Sequence, residues 1–288
     1  MTRRPIAQVI NTIQTLEGGG FPVRRPFPVA QLMQFDPFLL FDHLGPVTWG
    51  PSQGIGAPDH PHRGFETVTY LLSGEMQHKD SAGRSGTLRP GDVQWMTAGR
   101  GVVHSEIPTP EFQRSGGVMH GFQLWVNLPA KDKMMPSRYQ DIPAAQIPAA
   151  TSADGKVKVR VIAGSAMGKQ AVIEVRTPII YLHYTLRAGG ETVQDIPANY
   201  NAMVYVIRGE AAVGDPPRNV REGQAALLGS GTSVQLTAHT DTDVLVLAGV
   251  PLNEPVVRHG PFVMNTEAEI QQAIRDYREG RHIWHSWT

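Results

Sequence analysis

Two short segments of this sequence carry residues whose types and spacing suit the binding of a metal ion. His60 and His62 lie two residues apart in DHPHRGFETVTYLLSG, and His104 and Glu106 lie two residues apart in GRGVVHSE. Residues i and i+2 of a β-strand point to the same face of a sheet, so each pair can converge on one point. We therefore predict a site that is built from three imidazoles and one carboxylate.

The amino-acid composition restricts the chemistry of such a site. The 288-residue sequence contains no cysteine, which excludes disulfides, thiolate metal sites and cysteine nucleophiles. Any metal must therefore bind through His, Asp or Glu. Ligands of this kind suit iron, nickel, copper, manganese and zinc, and the softness of the donors does not distinguish among these ions.

The charge balance indicates the class of partner. Lysine and arginine together number 26, as do aspartate and glutamate, so the formal net charge is zero. This balance argues against a general nucleic-acid or membrane-surface binder. The sequence also lacks an apolar run long enough to span a bilayer. We therefore expect a cytoplasmic protein that acts on a small molecule and binds neither nucleic acid nor membrane directly.

The elements that must position these residues are predicted to be strands. Runs rich in Val, Thr, Ile and Tyr alternate with turn residues, and 30 glycines and 23 prolines are spread along the chain. This pattern is typical of many short strands joined by turns, and it predicts an all-β fold. A strand over residues 119–129 would place Gln123 and Trp125 on one face and Phe122 on the other.

The two halves of the sequence resemble each other. TYLLSGE at residues 69–75 matches VYVIRGE at residues 204–210, and RPGDVQWM matches REGQAALL after the next turn. In the second half, the positions of the four predicted ligands are occupied by Asp195, Pro197, Leu236 and Ala238. The repeat predicts two similar β domains, of which the second has lost the ligand set.

A proline-rich stretch separates the two halves. Its repeated prolines interrupt the strand pattern and predict an extended connector. We therefore predict an N-terminal domain over residues 1–130, a linker over 131–155 and a C-terminal domain over 156–288.

One helix is predicted, close to the C-terminus. In TEAEIQQAIRDYREG, Thr266 can cap the helix, Glu269 follows three residues later, and Gly280 ends it. Its apolar stripe should pack on a β domain. The tail that follows carries His282 and His285, and we predict that it docks or is mobile and does not bind the metal.

The histidines outside the two segments show no mutual spacing on a strand. His43 lies at a strand end, and His183, His239 and His259 are scattered through the second half. Isolated histidines of this kind are more often hydrogen-bonding or surface groups than ligands. We therefore predict structural roles for them.

The motifs taken together resemble those of a known superfamily. The pattern G-x5-H-x-H-x3-E, formed by Gly54, His60, His62 and Glu66, is followed by a glycine-rich turn and His104, and it resembles the cupin superfamily. Two such units in one chain resemble a bicupin. More narrowly, HPHRGFETVTYLLSGE, PGDVQWMTAGRGVVHSE, QLWVNLP and RHGPFVMNT resemble the pirin family, and this resemblance covers nearly the whole chain.

The resemblance implies two antiparallel β-barrels of the jelly-roll-like cupin type and one mononuclear divalent metal in the N-terminal barrel. The implied ligands are His60, His62, His104 and Glu106. Iron(II) is the expected metal, with nickel, copper, manganese, cobalt and zinc as alternatives. Glu66 occupies roughly the place of the carboxylate ligand in many cupins and shares strand parity with the first two histidines, so it is the alternative ligand or a group that supports the ligands.

The resemblance also implies an activity. Some family members cleave flavonols such as quercetin with dioxygen, so we expect a metal-dependent, quercetin 2,3-dioxygenase-like oxidoreductase. A flavonol or similar enolic substrate would bind the metal through its hydroxyl and keto oxygens, and Glu106 would act as the general base. The residues expected to line the substrate pocket are Phe41, Met96, Gln123 and Trp125.

Other family members imply a different class of function. The alternative is a non-enzymatic iron-binding regulatory protein, either a transcriptional co-regulator or a redox sensor, that acts through a protein partner. Such a role requires an exposed patch near the metal, and the lysines and arginines of this sequence form no dense cluster. A third possibility is metal chemistry on another small molecule.

Overall fold

The computed structural model describes residues 2–281, and 55% of the structure is β-strand, which confirms the prediction of a mostly β protein. The first strands are β1 (Ile6–Asn11), β2 (Ile13–Glu17), β3 (Phe21–Phe27), β4 (Phe38–Trp49), β5 (Ala57–His62), β6 (Phe65–Ser73), β7 (Met76–Asp80), β8 (Ser85–Leu88), β9 (Val93–Thr97), β10 (Val102–Pro108), β11 (Gly117–Asn127) and β12 (Arg138–Ile142). The remaining strands are β13 (Ala149–Thr151), β14 (Val157–Ala163), β15 (Ser165–Ala166), β16 (Lys169–Gln170), β17 (Ile179–Leu186), β18 (Glu191–Asp195), β19 (Asn201–Arg208), β20 (Glu210–Val213), β21 (Arg218–Arg221), β22 (Gln224–Leu228), β23 (Ser233–Ala238), β24 (Thr242–Gly249), β25 (Val257–His259) and β26 (Phe262–Met264). The helices of the described residues are α1 (Pro110–Ser115), α2 (Glu267–Arg278) and two single 3₁₀ turns, Ala130–Asp132 and Ala144–Gln146. None of these helices is long and apolar enough to cross a membrane.

The chain forms two compact units, and each is assembled from separate stretches of sequence. The site unit comprises residues 14–25, 38–144 and 252–281. The companion unit comprises residues 2–13, 26–37 and 145–251. These compositions differ from the predicted domain boundaries, because the N-terminal strand belongs to the companion unit and the C-terminal segment belongs to the site unit.

The two units repeat one sheet topology. In the site unit a seven-stranded sheet has the order β12-β9-β6-β11-β4-β3-β2, and a four-stranded sheet has the order β5-β10-β7-β8. In the companion unit the orders are β1-β22-β19-β24-β17-β14-β13 and β18-β23-β20-β21. Each strand of these four sheets therefore has a counterpart at the same place in the other unit, which confirms the repeat seen in the sequence. The two sheets of each unit are not joined into a closed barrel, so barrel closure stays a prediction.

The companion unit has an aliphatic core and no cluster of metal ligands within the described residues. Its buried side chains come from alternate positions of strands such as β17 and β24, where Leu182, Tyr184, Val244 and Val246 are inaccessible to solvent. Residues on one face of a strand recur every second position, so these side chains share the interior of the unit. Within the described residues, this unit is a packed core that has no histidine cluster.

The stretch predicted as an extended linker contributes an edge strand to each unit. β12 pairs antiparallel with β9, and β13 pairs antiparallel with β14. Pro136, Pro143 and Pro148 flank these two short strands and do not interrupt them. Proline lacks the N–H that a sheet ladder needs, so its position at the strand ends allows pairing that the sequence pattern did not predict.

The C-terminal helix has the predicted start. The Thr266 hydroxyl accepts a hydrogen bond from the Glu269 backbone N–H, and the Glu269 carboxylate accepts one from the Thr266 backbone N–H, which completes a capping box. Ile270 and Ala273 are buried against Phe262 and other residues of β26 in the site unit. The predicted tail with His282 and His285 lies outside the described residues.

An ion pair fixes this helix beside the first histidine segment. The Arg63 guanidinium donates a hydrogen bond of 2.8 Å to the Asp276 carboxylate, and the Arg63 side chain is 4% exposed. The Arg63 backbone N–H also donates to the Pro261 carbonyl, and its carbonyl accepts from the Val263 N–H at 3.0 Å. The residue that follows His62 is therefore held by the C-terminal segment through both backbone and side chain.

Substitution Asp276→Asn is expected to lower the free energy of unfolding by about 2 kcal/mol at neutral pH, because it leaves a buried guanidinium without its carboxylate. Burial alone raises the pKa of Asp276, but hydrogen bonds from Arg63 and Gln272 lower it more, to below the ordinary 3.8. A depressed carboxyl pKa contributes stability that is present above the unfolded-state pKa and is lost as pH falls through the folded-state pKa. Urea unfolding across pH should therefore show the difference between variant and wild type shrinking below about pH 4. A difference that does not change with pH would contradict this assignment.

Candidate metal site and its cavity

The two histidine segments lie on neighbouring strands. β5 and β10 pair antiparallel, with His60 opposite His104 and His62 opposite Val102. The register shifts between His104 and Glu106, which pairs with Ala57. Directly opposite residues of an antiparallel pair share one face and lie close together, so this register brings the imidazoles of both segments to one place.

The three imidazoles form a compact cluster. One ring nitrogen each from His60, His62 and His104 lies within 4.8 Å of the others. The rings of His62 and His104 are buried, and neither Nδ1 of His62 nor either ring nitrogen of His104 has a hydrogen-bond partner among the described residues. Nδ1 of His60 lies 2.7 Å from the Pro58 carbonyl, which leaves Nε2 for a ligand role. Buried ring nitrogens without partners are costly, and a metal ion would satisfy them.

Two histidines of the cluster, His62 and His104, are held in the form that binds metals. Burial lowers the pKa of His62 well below its ordinary value, and the neighbouring His104 and His60 and the nearby Arg258 lower it further. Burial also lowers the pKa of His104 to about 4, although Glu106 opposes this shift. Neutral imidazoles bind metals and imidazolium ions do not, so the site is ready to bind a metal at neutral pH.

Glu106 is a buried carboxylate held by two hydrogen bonds. The Thr69 hydroxyl donates to Oε1 at 2.8 Å, and the Gln123 amide donates to Oε2 at 2.9 Å. Burial raises the pKa of Glu106, but His104, His60 and these two donors lower it more, so the net pKa is below the ordinary value. Glu106 lies outside the group of three nitrogens and lines the same cavity.

Glu66 lies on the other face of its sheet. On β6, Thr67 and Thr69 pair with Trp125 and Gln123, whereas Glu66 pairs with Val126 and points the opposite way. Glu66 is fully buried, and its Oε1 accepts a hydrogen bond of 2.5 Å from the Thr97 hydroxyl. The chain turns at Gly64, with φ of +91°, so the strand parity that joined Glu66 to His60 and His62 in the sequence does not hold.

Two histidines of the cluster, His60 and His62, line a cavity of about 390 Å³ in the site unit. This volume lies within the range of small-molecule sites, roughly 300–1,000 Å³. The residues that line the cavity are Glu17, Gly18, Phe21, Leu44, Ala57, Pro58, Asp59, His60, His62, Thr69, Met76, Glu106, Gln123, Trp125, Arg258, Gly260 and Pro261. Both apolar and polar groups line it, so the cavity suits a ligand with both aromatic surface and oxygen atoms.

Two of the four predicted pocket residues reach this cavity. Gln123 and Trp125 line it, as the parity of β11 predicted. Phe41 is fully buried elsewhere and stacks on Phe122 with ring centroids 5.8 Å apart. Met96 packs with a separate apolar cluster that includes Ala98 and Val102. Phe41 and Met96 are therefore corrected from pocket residues to core residues.

Several lining residues were not predicted. Thr69 lies on β6, within the segment DHPHRGFETVTYLLSG. It shares a strand face with Thr67, and this spacing was the signal available in the sequence. Arg258, Gly260 and Pro261 come from the C-terminal segment, and no periodicity in the sequence indicates that this segment returns to the site unit.

The isolated histidines make ordinary polar contacts. Nε2 of His43 lies 2.7 Å from Nε2 of His120, and the two rings stack. His183 lies 3.6 Å from Asp243, and His239 contacts Asn219 at 3.0 Å. His259 is exposed on β25. His43, His183, His239 and His259 belong to no metal-ligand cluster within residues 2–281.

Comparison with known proteins gives matches over most of the chain. The Pirin family model matches residues 20–126, and the model described as Pirin C-terminal cupin domain matches residues 181–283. A Pirin-like protein from Solanum lycopersicum is 46% identical over 269 residues, which cover 92% of this chain and 88% of that protein. A crystal structure of quercetin 2,3-dioxygenase from Acinetobacter baumannii is 40% identical, with a TM-score of 0.92 over 97% of this chain and 98% of that one. A bacterial pirin from Escherichia coli, solved in complex with nickel(II), is 19% identical and covers 85% of this chain and 98% of its own, with a TM-score of 0.65, a likeness of fold alone.

Proposed function

Because the chain belongs to the pirin family, we propose that it is a metal-dependent dioxygenase that cleaves a flavonol such as quercetin with dioxygen. The observation that carries this proposal is the cluster of His60, His62 and His104: buried ring nitrogens of His62 and His104 have no hydrogen-bond partner among the described residues, and His60 and His62 line a cavity of small-molecule size. A catalytic metal site keeps a coordination position open for a substrate, whereas the protein ligands of a structural site leave none. The likeness to the Acinetobacter baumannii quercetin 2,3-dioxygenase supports the choice of substrate class.

The metal would be held by the three histidines, with Glu106 as the fourth ligand. Nitrogen and carboxylate donors fit iron(II), and also nickel, copper, manganese, cobalt and zinc. The chemistry that a bound divalent ion supplies is the lowering of the pKa of a substrate hydroxyl. Glu66 lies on the other face of the sheet, which supports Glu106 as the carboxylate of the site.

Glu106 is the proposed acceptor of the substrate proton. Each of its oxygens accepts one hydrogen bond, from Thr69 or from Gln123, and an ionised carboxylate oxygen has a further lone pair. The two donors favour the ionised form and hold the carboxylate group in one orientation. A substrate hydroxyl within hydrogen-bond reach would therefore transfer its proton to an oriented oxygen that is already deprotonated at neutral pH.

The apolar side chains of the cavity wall favour a planar aromatic substrate. Trp125 packs against His62 and Phe65, with ring centroids 5.1 and 4.4 Å apart. Phe21 and Leu44 add apolar surface around the same cavity. A planar aromatic ligand would bury its faces against these side chains and exclude water from its reacting oxygens.

The activity is tested by adding iron, nickel or copper to metal-free protein and measuring quercetin loss and oxygen uptake together. We expect one metal per chain and equal consumption of quercetin and dioxygen. If the protein binds these metals stoichiometrically but none of them supports turnover, the proposal is overturned and the non-enzymatic regulatory alternative is left.

Substitution Glu106→Gln is expected to lower the turnover number by about 10²–10⁴-fold, because an amide cannot accept the substrate proton. The matched control is Glu66→Gln, which alters a buried glutamate of the same unit on the opposite sheet face. Metal content and steady-state turnover should be measured for both variants. Full turnover in Glu106→Gln together with loss in Glu66→Gln would exchange the roles assigned to the two carboxylates.

A further inference from the structure

Arg258 is a cation on the wall of the cavity. It lies on β25 in the C-terminal segment of the site unit, and its guanidinium carbon is 4.8 Å from the centroid of the Trp125 ring. Its Nε donates a hydrogen bond of 3.2 Å to the Gly260 carbonyl. Stacking on the indole and this short-range hydrogen bond together restrict the orientation of the guanidinium plane.

The terminal amino groups of Arg258 have no acceptor within residues 2–281. Two acids lie nearby, Glu17 and Asp42, but both are ion-paired with Arg25. Asp42 accepts hydrogen bonds from Nε and Nη2 of Arg25 at 2.7 Å each. The Arg258 guanidinium therefore presents N–H donors at the cavity wall that are not paired with a carboxylate.

This cation lies close to the histidine cluster. Trp125 contacts both Arg258 and His62, with its ring 4.8 Å from the guanidinium carbon and 5.1 Å from the imidazole centroid. The positive charge therefore opposes a metal ion bound at His62. A cation beside a cation-binding site is favourable when an anionic ligand lies between them.

We propose that Arg258 determines substrate specificity by binding an anionic oxygen at the end of the substrate that does not bind the metal. The substrate class is a planar aromatic enol that carries a second acidic group, such as a carboxylate or sulfonate. The inference rests on the proposed function for the metal-binding end of the ligand. It requires no turnover, so it can fail or stand independently of the dioxygenase reaction.

The first test measures ligand binding by calorimetry, without oxygen, to protein loaded with nickel(II). The probes are two pairs that differ in charge at the end remote from their chelating oxygens. Protocatechuate is compared with its amide, and a sulfonated quercetin with quercetin itself. Wild type should bind the charged member of at least one pair about tenfold or more tightly. Arg258→Gln should bind both members equally, and Arg258→Lys should keep part of the preference.

The second test measures the affinity for nickel(II) without any organic ligand. Arg258→Gln removes a repulsive charge, so it should bind nickel a few-fold more tightly while it binds the anionic probes more weakly. If Arg258 had only a structural role, the Arg258→Gln variant would bind both nickel(II) and the anionic probes more weakly. The matched control is Arg278→Gln, which removes an exposed arginine of α2 away from the cavity and should change neither affinity.

Three results would overturn the proposal. The first is equal binding of charged and uncharged probes by wild type, and the second is a charge preference that survives in Arg258→Gln. The third is no binding of any probe to nickel-loaded protein. Quercetin turnover by wild type together with any of these results would leave the dioxygenase proposal standing and refute the role given to Arg258.

Discussion

Replacing His62 with alanine is expected to abolish stoichiometric metal binding and flavonol turnover together. His62 is buried, and its Nδ1 has no partner among the described residues. Loss of a group that only supports a metal ligand costs about 10–100-fold in metal affinity, so loss of a ligand itself should cost more than about 100-fold. The measurements are metal content after loading with one equivalent of iron(II) or nickel(II), and oxygen uptake with quercetin.

The control for this substitution is His239→Ala, because His239 is exposed, contacts Asn219 and lies in the companion unit. It should retain metal and turnover. His62→Gln provides a second test if the alanine variant folds poorly, since glutamine fills more of the space that the ring leaves. Unchanged metal content in both His62 variants would show that the ligand assignment is wrong.

Replacing Lys133 with methionine is expected to lower the free energy of unfolding of the site unit by about 3 kcal/mol. The Lys133 side chain is 1% exposed, and its ammonium donates to the Gly64 carbonyl at 2.8 Å, to Asn127 Oδ1 at 2.6 Å and to the Val263 carbonyl at 3.1 Å. Methionine fills similar space but leaves three acceptors without this donor. The expected loss of stability is smaller than the summed cost of three buried acceptors without a donor, because removing a buried charge also removes its desolvation cost.

Chemical denaturation of the metal-free protein measures this effect. The matched control is Lys131→Met, which alters an exposed lysine two residues earlier and should change stability by less than about 0.5 kcal/mol. Gly64 lies two residues after His62, so the Lys133 variant should also bind metal more weakly. Equal stability of the two variants would refute the bridging role of Lys133.

The cluster of three histidines could be predicted from the sequence because its information is local. His60 and His62 are fixed by the alternation of one strand, and His104 by the turn that precedes β10. The pairing of the two segments depends on the fold, and the order of the two motifs in the sequence indicated this pairing. The repeat between the two halves was predictable for the same reason, because matching strand and turn units were visible as matching letters.

The errors arose where the position of a residue depends on distant packing. Strand parity linked Glu66 to the histidines, but the chain turns at Gly64, where a Cβ atom would lie 1.9 Å from the Val263 carbonyl oxygen. That close approach involves a residue near the other end of the chain. Phe41 was misplaced because β4 is buried on both faces over much of its length, so hydrophobicity does not indicate which face borders the cavity.

The exchange of chain ends between the units has a consequence for biosynthesis. β1 completes a sheet of the companion unit, whereas Arg258, Pro261 and Asp276 complete the cavity wall and hold Arg63 in the site unit. A ribosome makes all four strands of the sheet β5-β10-β7-β8, which carries the three histidines, long before it makes these residues. At about 5–20 residues per second, the interval is on the order of ten seconds or more. During that interval the cavity beside the histidine segments lacks the residues of its wall that come from the C-terminal segment. We therefore expect metal insertion to follow the release of the finished chain.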